Sequence, residues 1–182
     1  MLNQKIDFTD FPSLKIAIIS DTHQYLDPQV AGDINNCDLA IHAGDIGNAA
    51  VLDSMTPKSG HVIAVSGNND VPYLWDADEI GIVTSLPEQI ELFFASGNIA
   101  IEHGHEHCRT KPSHSDMRLA HPNARLIIYG HTHISVIDNE GSGCDVINPG
   151  AAGLTRNKGG PSCIILTIDG ENWHYEKIKY LE

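Results

Sequence analysis

The stretch LKIAIISDTH, residues 14–23, decides how the chain reads. Its first seven residues are almost continuously apolar, as in a strand covered on both faces of a sheet, and the run stops abruptly at Asp21, Thr22 and His23. Two more runs repeat the arrangement: CDLAIHA (37–43) gives way to GDIGN, and HVIAVS (61–66) gives way to GNND. Between them, DPQVAGDINN (27–36) and NAAVLDSM (48–55) are predicted as short helices. The chain therefore begins βαβαβ. In open parallel sheets functional groups collect at the carboxyl ends of strands, where all three polar signatures fall.

Working outward, further strands are predicted at 88–95, 97–103, 125–130, 134–138, 162–168 and 172–181, with one helix near 112–120. The last two strands flank the turn signal DGEN and should form a hairpin. At 182 residues, without internal repeat or linker, the sequence is read as a single domain, 1–182, of α/β class. The N-terminus has no signal-peptide character and no apolar run is long enough to span a bilayer. A cytoplasmic protein without a membrane partner is expected. The cysteines Cys37, Cys108, Cys144 and Cys163 form no CxxC pair, so reduced thiols are expected, with Cys37 and Cys163 as small core residues.

Against 11 Lys and Arg stand 24 Asp and Glu, a formal charge of −13. Such a surface repels a nucleic-acid backbone and excludes broad phosphate tracking. If this protein handles phosphate, the positive charge must come from something other than Lys and Arg.

Five strand ends carry chemistry: Asp21 and His23 in DTH, Asp45 in GD, Asn68 to Asp70 in GNND, His103, His105 and His107 in EHGHEH, and His131 and His133 in GHTH. On an extended segment alternate side chains point the same way, so His131 and His133 would leave their strand toward one point. An isolated histidine is ordinarily a hydrogen-bonded core or surface residue. Five signatures that each follow a strand and each bear Asp, Asn or His are instead a ligand set for Mn, Fe, Co, Ni or Zn.

As an ordered set these blocks resemble the calcineurin-like binuclear metallophosphoesterases, and the short length and early DTH look most like that family's small phosphodiesterase branch, which also contains the retromer scaffold subunit. The resemblance implies a four-layer α/β/β/α sandwich. It implies one metal held by Asp21, His23, Asp45 and His133, and a second held by Asp45, Asn68, His103 and His131, with Asp45 shared between two ions roughly 3.5 to 4 Å apart. Manganese is the first choice, with Ni, Zn, Fe or Co able to replace it. Two dications, two carboxylates and one bridging hydroxide leave about one positive charge, which suits a phosphodiester monoanion. The implied function is hydrolysis of a small phosphodiester by that hydroxide, with Asp45, Asn68 and His105 as catalytic residues. The alternatives are a phosphomonoesterase acting on a nucleotide or small metabolite, and a scaffold that retains the fold; a homo-oligomer is compatible with each.

Six other positions carry expectations. Spacing does not choose among the histidines of EHGHEH; the alternation Ile99, Ile101, His103 and the family pattern favour His103, leaving His105 as a proton-shuttling group and His107 as a loop residue. Asp70 is expected to orient its loop by hydrogen bonds. Many family phosphatases have His where this chain has Asn69, which has no titratable proton to give a leaving group. In INPGAAG (147–153) Ala151 replaces the family's serine, and Arg156 follows as a candidate phosphate contact.

Overall fold

The computed structural model describes residues 3–108, 110–139 and 143–181. Among the described residues eleven strands form two sheets. The five-stranded sheet contains β2 (Ser13–Ile19), β3 (Leu39–His42), β4 (Val62–Ala64), β10 (Ser162–Asp169) and β11 (Asn172–Lys179), in the order β11-β10-β2-β3-β4. β2, β3 and β4 are parallel, linked through α1 (Pro28–Asn35) and α2 (Ala49–Ser54), the βαβαβ unit expected from the sequence. β10 and β11 form the expected hairpin, with Asp169 opposite Asn172 across a two-residue turn. The six-stranded sheet runs β1 (Asn3–Asp7), β5 (Gln89–Phe94), β6 (Gly97–Glu102), β7 (Ala124–Ile128), β9 (Asp145–Asn148), β8 (Val136–Asp138).

Alternation along the strands builds the layers. Ile16, Ile18, Leu39, Ile41, Ile164 and Leu166 from one sheet meet Ile90, Leu92, Ile99, Ile101, Leu126 and Ile128 from the other in the central core. Their neighbours Ala17, Ile19, Ala40 and Ile165 face outward and are covered by Val30 and Ile34 of α1. On the opposite side Ala100, Ile127 and Val146 are covered by Met117 of α4 (His114–Ala120). The order helix, sheet, sheet, helix follows from period-2 burial on both faces of strands that are apolar throughout.

The sequence reading missed four elements. β1, NQKID, has only Ile6 to pack and pairs as a parallel edge strand with β5, a position that needs little apolar signal. β9, DVIN, is a four-residue strand of which only Ile147 and Asn148 fall in the INPGAAG segment. A 3-10 turn at Pro72–Leu74 and α3 (Ile80–Ser85) were also missed; the helix, IGIVTS, combines glycine with β-branched residues of poor helix propensity. Among the described residues no helix is long and apolar enough to cross a membrane.

Candidate metal centre

The polar signatures meet where the carboxyl ends of β2, β3, β4, β6 and β7 come together at one edge of the sandwich. Backbone bonds stitch them: Asp21 N–H to the Gly44 carbonyl at 3.0 Å, His23 N–H to Asp45 at 3.0 Å, and Gly130 N–H to His103 at 3.2 Å. Asp21, His23, Asp45, His131 and His133 all have left-handed backbone, with φ between 46° and 69°. Each such non-glycine residue costs on the order of 1 kcal/mol or more, and strain of this kind collects at sites where side-chain direction matters more than backbone comfort.

All seven expected ligand side chains are brought together. His133 Nε2 lies 3.2 Å from Asp21 Oδ1 and 3.2 Å from His23 Nε2. Asp45 Oδ2 stands 3.7 Å from His23 Nε2 and 3.4 Å from His103 Nε2, between one histidine of each expected group. His131 Nδ1 lies 3.0 Å from Asn68 Oδ1, and its ring centroid is 5.3 Å from that of His103. Asp21, His23 and His133 form one cluster of converging donors, and Asp21, Asp45 and His103 a second. Both carboxylates therefore stand between the histidine groups, where the sequence pattern implied sharing by Asp45 alone.

Two rings are oriented by backbone. His103 Nδ1–H donates to the Ala43 carbonyl at 2.8 Å and His133 Nδ1–H to Thr155 at 2.8 Å, which turns each Nε2 lone pair toward the centre. Asp45 is clamped by Asn69, whose backbone N–H donates to Oδ1 at 2.9 Å and whose side-chain amide donates to Oδ2 at 2.7 Å. Asp70 accepts from the backbone N–H groups of Ile46, Gly47 and Gly67, tying the Asp45 loop to the Asn68 loop. Gly67 passes so close that a Cβ there would stand 2.2 Å from Asp45 Oδ1.

The pocket draws positive charge. Burial pushes Asp21 up to about 7, opposed by the neighbouring His103. Burial opposes a charged His103, but the Asp45 and Asp21 carboxylates outweigh it and hold this ring up at about 9. Burial would also raise Asp45, yet His103 and the Asn69 donors keep it well below the usual carboxylate range. Burial and then Arg156 bring His133 down to about 4. Asp21 Oδ1 and His103 Nε2 are buried without a hydrogen-bond partner among the described residues. Unsatisfied oxygen and nitrogen donors turned on one point, without thiolate, suit divalent ions of the borderline class.

His105 lies beside the centre, its ring centroid 5.5 Å from His103 and 6.3 Å from His131. His107 is set apart, 2.7 Å from Glu102. Arg156 comes to 3.2 Å from His133 Nε2, and the cleft over the centre is lined by Asn68, Asn69, Thr110, Arg156 and Lys158. Lys158 and the Asn69 clamp were not anticipated; the first had a faint signal in the basic run after Arg156, whereas the second depends on loop packing that spacing does not reveal. His42, the last residue of β3, is fully buried beneath the centre. It accepts from Gly44 N–H at Nδ1, which leaves Nε2–H to donate to Thr22 Oγ1 at 2.8 Å, so it props the DTH loop from beneath.

Comparison with known proteins agrees with this geometry. A curated relative, the probable metallophosphoesterase MJ0623 of Methanocaldococcus jannaschii, is 30% identical over 154 residues, covering 79% of this chain and 71% of that protein. A solved archaeal phosphodiesterase is 25% identical with a TM-score of 0.64, over 90% of this chain and 99% of that one. The Vps29 structure from Chaetomium thermophilum, 18% identical, superposes with a TM-score of 0.68 over 92% of this chain and 98% of its own, a likeness of fold. The sequence profile of the calcineurin-like phosphoesterase superfamily domain matches residues 14–171, from the first buried strand into the C-terminal hairpin, and the chain belongs to that superfamily.

Proposed function

We propose that the protein is a metal-dependent phosphodiesterase acting on a small substrate with two divalent transition-metal ions, manganese first among them. The observation that carries this reading is the pair of buried donor atoms without a hydrogen bond among the described residues, Asp21 Oδ1 and His103 Nε2, within two converging clusters of Asp21, His23, Asp45, His103 and His133, with His131 and Asn68 beside them. Two ions bound there would act as Lewis acids on phosphoryl oxygens and supply an activated water as nucleophile. Asp21, His23, Asp45 and His133 hold one ion in this reading, and Asp45, Asn68, His103 and His131 the other.

The chain's own groups do the rest. The Ala43 and Thr155 carbonyls fix the ligand rings, and Asn69 fixes the shared carboxylate. Arg156 and Lys158 at the cleft wall meet the substrate's phosphate oxygens. His105, half-buried beside the centre and lowered in pKa chiefly by that burial, is the group placed to carry a proton to a leaving group.

A hydrolysis panel tests this, using an activated diester and its monoester, each with Mn, Ni, Zn and Mg. The diester is turned over with Mn, chelator abolishes the rate, added metal restores it, and Asp45→Asn loses at least about 100-fold, since removing mere supports of ligands already costs 10 to 100-fold. Preference for the monoester would move the assignment to a phosphomonoesterase. Inertness with metal demonstrably bound would make the protein a partner-binding member of its superfamily.

A further inference from the structure

Glu102 and His103 are consecutive, so their side chains leave β6 on opposite faces. His103 enters the metal centre at the inner edge. Glu102 points to the outer face and is buried there, 2% exposed. It meets His107, from the turn after β6, and His121, the residue that ends α4. Oε2 is bonded, accepting from Gln89 Nε2 at 3.1 Å and lying 3.2 Å from His121 Nε2. Oε1 lies 2.7 Å from His107 Nε2, yet the directions do not make a hydrogen bond, and this oxygen is buried without one among the described residues.

We propose that Glu102, His107 and His121 bind a third divalent ion of the zinc class, on the outer face of the six-stranded sheet and separate from the binuclear centre. One carboxylate and two imidazoles with all ligand atoms within 4.8 Å of one another are a His2Glu donor set. Tetrahedral zinc with bonds of about 2.0–2.2 Å places ligand atoms about 3.3–3.6 Å apart, so Oε1, 2.7 Å from His107 Nε2, has to withdraw from it by about 0.6–0.9 Å. His121 Nε2 bonds Oε2, whereas His107 Nε2 and Oε1 are close without bonding each other, an arrangement that a shared third atom would satisfy. Among the described residues no Lys or Arg pairs with Glu102, so its buried charge has only the two imidazoles to offset it. Gln89 stays on Oε2 and fixes the carboxylate's orientation, the role that outer partners play around metal ligands. Clefts on either side, one reaching His107 and the other His121, give an ion access, and one coordination position is left for water. The ion would tie β6, the His107 turn and the end of α4 together.

The test is zinc-loaded whole protein, crystallised and measured at the zinc absorption edge, with zinc content determined in parallel on wild type, His121→Ala and Glu102→Gln. An anomalous peak between His107 and His121, and one zinc per chain fewer in each variant than in wild type, is the expected result. His121 is at a helix end and Glu102→Gln preserves shape, so at least one variant keeps the fold, checked by circular dichroism. Absence of that peak at saturating zinc, or equal zinc content in wild type and a folded variant, would overturn the proposal. The peaks of the two sites are spatially distinct, so this inference and the phosphodiesterase reading fail independently.

Discussion

Asn69 shows how one residue can carry two meanings. From the sequence it is a departure that removes a proton donor; in the structure its amide and its backbone N–H hold both oxygens of Asp45. The two roles separate by mutation. Asn69→Ala should weaken metal affinity by about 10 to 100-fold, the usual loss when a ligand's hydrogen-bonded support is removed, as read from metal titrations of the rate. Asn69→His should raise turnover of alkyl esters relative to a nitrophenyl diester, because proton donation is worth about 10² to 10⁴-fold and mostly for poor leaving groups. If wild type already cleaves alkyl esters as readily as nitrophenyl ones, the proton comes from elsewhere, with His105 the first residue to replace.

At the scale of elements, the site depends on loops that follow strands from both sheets, and Asp70 is the knot between two of them. Its carboxylate receives three backbone N–H groups while burial drives its pKa upward. Asp70→Asn presents N–H where one acceptor is needed, so unfolding free energy should fall by about 1–3 kcal/mol in denaturant titration, with metal affinity falling alongside. An unchanged midpoint would mean that the loops are held by other contacts. This region also marks how far the sequence could be read. The buried parallel strands were legible because nearly every residue is apolar, and the ligand types were legible because each directly follows such a strand. Edge strand β1 and helix α3 were not, since one packs a single isoleucine and the other is built from weak helix formers. The Asn69 and Asp70 clamps arise from contacts 24 positions apart, which no local pattern encodes, and the left-handed backbone of the ligand residues has no signature in residue type.

For the whole molecule, the packed double sheet sets how stability responds to acid, because it seals His42 at the end of β3. Burial, helped by nearby His103, brings this ring down to about 3, so it stays neutral in the folded state. Unfolded, it takes a proton near its ordinary value of about 6.5. Between these values the unfolded chain binds the extra proton, so stability falls as pH drops from about 6.5 toward 3. Asp21 pulls the other way in metal-free protein: with its carboxyl up at about 7, stability is lost as pH rises from about 4 toward 7. A single curve therefore mixes opposing slopes, and the informative quantity is the difference between wild type and His42→Asn, in which the contribution of Asp21 largely cancels. Unfolding free energies of the chelated proteins from pH 6 to 4 should fall more steeply in wild type, by up to about 1.4 kcal/mol per pH unit, the value of one proton. Parallel curves would mean that His42 titrates normally in the folded protein and that the sheets do not exclude water from the floor of the site.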